Sequence, residues 1–151
     1  CLLEAGHRRI GILSGPHHAP DNEARLRGFL DTLGAAGVTV PVDWIHTGDF
    51  VADSGRAAAA EMLARHGRDL PFTALFCAND PMAIAAIGAL SAAGVRVPED
   101  LSVVGYDDCE LSPHVWPPLT TVRIDIGAVA AQATRDLINR CYGLDLTVAR
   151  D

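Results

Sequence analysis

The chain of 151 residues contains no lysine, and all 12 of its basic residues are arginine. A Schiff-base lysine, a lysine general base and the lysine of a phosphate-binding loop are therefore excluded within it. The four cysteines are far apart and form no C-x-x-C pair, which argues against a disulfide framework or a zinc site. No apolar run is long enough to cross a membrane, and no signal peptide is visible.

Basic charge is also scarce. The formal net charge is −7, so the chain offers no basic surface to the phosphates of nucleic acid. Its length and its 49% apolar residues are sufficient for one domain with a proper core. Residues 1–6 lack an initiator methionine and are typical of the end of a helix. We therefore expect a piece of a longer protein, in which any DNA contact belongs to another segment.

Short apolar runs alternate with helical segments along almost the whole chain. The runs predict strands at residues 9–14, 44–47, 73–78, 101–107, 119–124 and 144–148. Helices are predicted between them, with N-caps at Asp21 or Asn22, Asp53 or Ser54, Asp80 and Asp125. Strands joined by helices form right-handed βαβ units, so the predicted fold class is α/β with a parallel sheet.

Polar and aromatic side chains stand at or after the ends of the predicted strands. Asn79 follows the third strand and Asp107 ends the fourth, whereas Phe50 and Arg25 follow two others. In open parallel sheets, ligands bind outside the carboxyl ends of the strands. A carboxylate, an amide, a guanidinium and an aromatic ring together suit the hydroxyls and ring faces of a sugar or nucleoside. We therefore predict a cleft at which these four residues bind a small molecule.

Each of the four residues also has a purely structural explanation. Asn79 could shape a turn, and Asp107 could cap one. Arg25 could be a solvated helix residue, and Phe50 could belong to the core. Taken singly, each explanation is as good as ligand binding, whereas their position at one predicted sheet edge favours a shared cleft.

Two enzymatic hypotheses are weaker than the binding hypothesis. Asp107 and Asp108 resemble a phosphate-acceptor or magnesium site, but phosphoryl transfer also needs a cation, usually the lysine that this chain lacks. Ser14 with His17 or His18 offers a nucleophile and a base, yet the G-x-S-x-G turn of hydrolases is absent. The first loop also lacks the G-x-G-x-x-G spacing of dinucleotide sites. We therefore expect no enzyme activity, no cofactor and no metal.

Five blocks of sequence occur in a characteristic order: GHRRIGI at 6–12, RLRGF at 25–29, FCAND at 76–80, VPEDLSVVGYDD at 97–108 and PPLTTV at 117–122. In this order they resemble the effector-binding region of the lac repressor/galactose repressor family of bacterial transcription regulators. The AND and VGYD blocks are shared with periplasmic sugar-binding proteins, whereas GHRRI and PPLTTV favour the regulators. The likeness covers essentially the whole chain.

This resemblance implies a parallel-sheet, Rossmann-like lobe of a two-lobed, periplasmic-binding-protein-like type I fold. Residues 1–123 would form the C-terminal lobe, and residues 124–151 would form a helix and strand that cross toward the N-terminal lobe. Matched by motif, the family's effector contacts fall on Arg25, Phe50, Asn79 and Asp107. Ala19 and Asp21 replace a basic and a hydroxyl residue of some purine-responsive relatives, which favours a sugar effector.

The same resemblance implies a homodimer in the cytoplasm that binds operator DNA through an N-terminal head outside this chain. Ile84 and Ile87, with Val115 and Trp116, could supply an apolar dimer surface, although the two isoleucines could equally face the sheet. The alternative hypothesis is a periplasmic sugar-binding protein that serves an importer.

Overall fold

The computed structural model of the chain describes residues 1–144. In this range it contains β1 (Ile10–Ser14), α1 (Pro20–Ala35), β2 (Ile45–Thr47), α2 (Ala52–His66), β3 (Ala74–Cys77), α3 (Asp80–Ala92), β4 (Ser102–Asp107), β5 (Thr120–Arg123) and α4 (Ile126–Tyr142). Short 3-10 turns are also present at Val42–Trp44 and Ser112–His114. The predicted strand at 144–148 lies, apart from Leu144, outside the described residues.

The five strands form one parallel sheet in the order β2-β1-β3-β4-β5, which confirms the predicted α/β class. After β1 the chain forms β2 next to one edge of β1, and it then crosses back to form β3 next to the other edge of β1. The order therefore reverses between β1 and β3, and open sheets with this order bind ligands at the carboxyl end beside that reversal. This geometry fixes where a site can form.

Helices cover both faces of the sheet. The larger core lies under α2 and α3, where Leu13, Leu75 and Met82 are fully buried. On the opposite face α1 packs through Phe29, whose ring stacks on Phe76 with centroids 4.2 Å apart. Because both faces are covered at the centre of the sheet, β1, β3 and β4 are mainly apolar rather than alternating, which is what makes them recognisable in the sequence.

Gly55 sets how closely α2 approaches α3. A Cβ at this position would overlap the backbone of Met82, and a backbone cannot move aside as a flexible side chain can. Glycine is therefore required here for packing, and not for a special backbone angle. The close approach brings the starts of α2 and α3, which flank the carboxyl edge of the sheet, next to each other.

Three predicted helix caps are wrong. Helix α1 begins at Pro20, because a proline is favoured in the first turn, so its N-cap is Ala19 and neither Asp21 nor Asn22. Helix α2 begins at Ala52 with Val51 as its N-cap, so neither Asp53 nor Ser54 caps it. Helix α3 is capped by Asn79, whose Oδ1 accepts a hydrogen bond from the Met82 N–H at 3.1 Å. Asp80 therefore lies inside the first turn, and its carboxylate is free to bond elsewhere.

Helix α4 stands apart from the rest of the described chain. Asp125 caps it, as predicted, by accepting a hydrogen bond from the Ala128 N–H at 2.9 Å. None of its residues is buried, and Ile126, Val129 and Leu137 are each more than 60% exposed. Within residues 1–144 no helix is both long and apolar enough to span a membrane.

Candidate ligand-binding site

The carboxyl edge of the sheet brings the four predicted residues together. The loops after β2 and β3 carry Phe50 and Asn79, and Asp107 is the last residue of β4. Arg25 reaches the same edge from the second turn of α1. Each of the four residues contacts at least one of the others: Asn79 contacts Phe50, and Arg25 contacts both Phe50 and Asp107. The geometric part of the prediction, a convergence of guanidinium, ring, amide and carboxylate, therefore agrees with the structure.

Arg25 lies at the centre of the group. Its Nη1 donates to the carbonyl of Ala78 at 2.7 Å and lies 3.4 Å from Oδ1 of Asp107. The guanidinium carbon lies 4.3 Å from the ring centroid of Tyr106 and 5.6 Å from that of Phe50. Only 19% of the side chain is exposed, so the planar cation is held between aromatic rings with donors directed to the edge of the sheet.

Phe50 adopts a backbone conformation that is rare for a bulky side chain, with φ of 70°. Two contacts hold it there. The Asn79 Nδ2 donates to the Phe50 carbonyl at 2.7 Å, and the ring packs so closely on Gly15 that a Cβ at residue 15 would overlap it. The ring is thereby fixed beside the guanidinium, where it can lie against an apolar ring face of a ligand.

Asn79 has a clear structural role. Its Oδ1 caps α3 and its Nδ2 holds the loop after β2, and the residue is 6% exposed. A ligand would therefore meet its second amide hydrogen or the second lone pair of Oδ1. The turn-shaping explanation of Asn79 is thus correct, and it leaves room for ligand binding.

Asp107 ends β4 with its side chain 31% exposed. Burial raises the pKa of this carboxyl above its usual value, and the nearby Asp80 and Asp21 carboxylates act in the same direction, whereas Arg25 lowers it. Asp107 and Asp108 have φ of 116° and 57°. A non-glycine residue with such angles costs about 1–3 kcal/mol, and such strain is concentrated at functional sites.

Three further groups belong to the site but were not among the predicted residues. Tyr106 stacks on Arg25, the Ala78 carbonyl accepts from it, and Asp21 lies 3.5 Å from its Nη2. The sequence pattern indicates Tyr106 only as part of a buried strand. Its position directly before Asp107, at the end of β4, is the signal that could have identified it, because the strand end lies at the ligand-binding edge.

The geometry gives no support to the two enzymatic hypotheses. The Ser14 hydroxyl donates to the carbonyls of Gly15 and His46, and the Nε2 of His17 lies 3.2 Å from the Thr47 hydroxyl. The Asp108 carboxylate is 3.8 Å from the guanidinium of Arg123. Within residues 1–144 no group of three or more histidine, cysteine or acidic side chains is arranged to hold a metal ion.

Comparison with known proteins decides the family. The model of the family described as the periplasmic binding protein-like domain matches residues 1–149. The chain belongs to this family. Within it, the solved structures that the chain resembles include regulators of the LacI family, so the resemblance found in the sequence is confirmed.

Three relatives show how similar the chain is to known transcription regulators. The transcriptional repressor PurR of Photobacterium profundum is 46% identical over 121 residues, which are 80% of the chain and 35% of PurR. The structure of the regulator CelR in complex with cellobiose is 40% identical, with a TM-score of 0.88, and the match covers 99% of the chain and 45% of CelR.

A dimeric lac repressor structure is 33% identical, with a TM-score of 0.87, over 96% of the chain and 52% of that protein. The chain thus spans about half or less of the length of these relatives.

Proposed function

We propose that this chain is the ligand-sensing part of a LacI-type transcription regulator and that Arg25, Phe50, Asn79 and Asp107 bind its effector. Residues 1–123 would form one lobe, and residues 124–151 would cross to the other. The observation that supports this most directly is the convergence of Arg25, Phe50 and Asp107 at the carboxyl edge of the sheet. The largely exposed α4, with apolar residues that nothing covers in the described chain, supports the crossing.

A sugar is the effector class that this chemistry fits best. A carboxylate that accepts from hydroxyls, a guanidinium that donates to them and a phenyl ring that lies on a sugar face are all present within one group. The carboxylate of Asp21, 3.5 Å from Arg25, adds a second acceptor at the rim. The CelR structure, which contains cellobiose, shows that a relative of 40% identity binds such a ligand.

The mechanism we propose is a shift in the population of lobe conformations. A sugar that contacts both lobes favours the closed form, and its difference in affinity between closed and open forms sets how far the equilibrium moves. Lobe closure then changes the spacing of two DNA-reading heads in a cytoplasmic dimer, and operator half-sites have a fixed separation. No catalytic step is required, and the regulator names of the relatives favour this function over an importer component.

The proposal is tested on the full-length protein with a panel of mono- and disaccharides, cellobiose included. We expect at least one sugar to give a saturable calorimetric signal and to change the affinity for operator DNA, measured by fluorescence anisotropy. A sugar that binds without any change in operator affinity would support an importer component instead. If no sugar of the panel binds, the sugar assignment is wrong.

A homodimer is the second partner we propose. Trp116 is 90% exposed, and together with Val115, Ile84 and Gly88 it lines an apolar groove on the outer surface of α3. Ile87 also borders the groove, but it is 5% exposed and belongs to the core, so it contributes little to the predicted surface. A second copy is the occupant we favour, because the lac repressor relative is a dimer and an exposed tryptophan is typical of interface hot spots.

We therefore expect Trp116→Ser in the full-length protein to raise the dimer dissociation constant by about thirtyfold. Analytical ultracentrifugation over a concentration series measures this change. Val42→Ser is the control, because Val42 is 85% exposed and lies away from the groove. An unchanged dissociation constant for Trp116→Ser would assign the dimer contact to another surface.

A further inference from the structure

Asp80 connects three elements through one fully buried carboxylate. It is the first residue of α3 and is 0% exposed. Its Oδ2 accepts from the Cys109 backbone N–H at 2.8 Å and from the Ser112 hydroxyl at 2.6 Å. Its Oδ1 accepts from the Thr121 hydroxyl at 2.6 Å. The start of α3 is therefore tied to the loop after β4 and to β5.

Gly105 makes this arrangement possible. A Cβ at residue 105 would overlap Oδ1 of Asp80, so any other residue in this position of β4 would displace the carboxylate. The strand residue and the acidic side chain are thus matched to each other. This match indicates that the position of the Asp80 carboxylate is specified by the sequence and is not incidental.

Thr121 extends the network to the ligand site. Its hydroxyl donates to Asp80 and accepts from the Asp108 backbone N–H at 3.3 Å. The two amides that follow Asp107 are therefore both held by Asp80, that of Cys109 directly and that of Asp108 through Thr121. These bonds fall on the segment 107–109, in which Asp107 and Asp108 have positive φ.

We propose that Asp80 and Thr121 are positioning residues for the ligand-binding carboxylate of Asp107. They hold the segment 107–109 in its strained conformation, so that the carboxylate faces Arg25 and the ligand, and they do not contact the ligand themselves. The inference rests on the proposed function, because it assigns a role within the same site. It identifies groups that affect affinity without contacting the ligand.

The physical reason is that positive φ is disfavoured for any residue with a side chain, so that two successive residues with positive φ need support, although Asp and Asn adopt it more readily than bulky residues. If the two amides lose their acceptors, the backbone can relax toward extended angles, and the carboxylate then turns away from Arg25. The pair at 3.4 Å leaves little tolerance, since a shift of about 1 Å breaks such a contact. A network that served only to stabilise the fold would leave the affinity of the folded protein unchanged.

The test uses Thr121→Val in the full-length protein, because this change keeps the shape of the side chain and removes only the hydroxyl. With the sugar of the panel that binds the unaltered protein, we expect calorimetric affinity to fall about tenfold. Thr121→Ser, which restores the hydroxyl, should bind within about twofold of the unaltered protein. Thr120→Val is the matched control, since Thr120 is the exposed neighbour on β5 and makes no side-chain hydrogen bond in the described structure.

Hydrogen exchange measured by mass spectrometry on the same proteins tests the loop without a ligand. We expect faster exchange in the peptide that contains residues 107–109 for Thr121→Val, but not for Thr121→Ser or Thr120→Val. Unchanged sugar affinity in Thr121→Val, or a serine variant as weak as the valine variant, overturns the proposal. If no sugar binds even the unaltered protein, the sugar assignment fails. Unchanged exchange at 107–109 in Thr121→Val would then also overturn the positioning role, and faster exchange would support it.

Discussion

Asp107→Asn should reduce sugar affinity about a hundredfold while leaving the protein as stable as before. The substitution keeps the size of the side chain, and asparagine tolerates positive φ, so the backbone angle of 116° is retained. It removes the charge that accepts hydroxyl hydrogens and faces Arg25 at 3.4 Å. Hydrogen bonds to a charged group contribute about 1.5–3 kcal/mol each, and about 1.4 kcal/mol corresponds to a factor of ten in affinity.

The expected stability follows from the direction of the pKa shift. Burial raises the pKa of Asp107 in the folded chain above its ordinary value, so the folded state binds the proton more tightly than the unfolded state. Stability is then greatest below the unfolded pKa and falls as pH rises through the folded pKa. At neutral pH the charge of Asp107 is a cost to folding, and a neutral amide removes that cost. Thermal unfolding at pH 7 should therefore give a melting temperature no lower than that of the unaltered protein.

Asp108→Asn is the matched control for this prediction. Asp108 is the next residue, also has positive φ, and pairs with Arg123 at 3.8 Å rather than with Arg25. We expect its affinity for the sugar to change less than threefold, since exposed pairs contribute about 0–1 kcal/mol. Equal losses in the two variants would mean that the general negative charge of the loop, rather than the Asp107 carboxylate, determines binding.

The fold could be predicted from the sequence because its central strands are buried on both faces. Thr73–Ala78 and Leu101–Asp107 are continuous apolar runs that end in polar residues, a pattern that indicates parallel strands directly. The observed strands, Ala74–Cys77 and Ser102–Asp107, differ from these ranges by at most one residue at each end. The location of the site followed from the same feature, because a parallel order places the ends of β2, β3 and β4 at one edge.

The contacts between elements could not be predicted in this way. Asp80 fits the local pattern of an N-cap, and so does Asn79. The choice between them depends on Thr121 and Ser112, which are more than 30 residues away in sequence and reach Asp80 only after the sheet has formed. Tyr106 was missed for a related reason, since its stacking partner comes from α1. Local patterns carry no information about such partners.

The prediction with the largest expected effect is that Arg25→Met reduces sugar affinity more than a hundredfold. Methionine keeps an unbranched apolar stem against the rings of Phe50 and Tyr106 but removes every donor. The sugar loses its direct donor, and Asp107 loses the cation that orients it, which together correspond to about 3 kcal/mol. The pKa of Asp107 should also rise further, because Arg25 is the neighbour that lowers it.

Arg27→Met is the control, because Arg27 lies two residues away on α1, is 67% exposed and pairs only with the exposed Glu23 in the described structure. Its sugar affinity should be unchanged. The double variant with Arg25→Met and Asp107→Asn should bind no more weakly than Arg25→Met alone, within about threefold, since the two groups act as one unit. If calorimetry instead gives losses that simply add, the guanidinium and the carboxylate contact the ligand independently, and the 3.4 Å pair has no part in recognition.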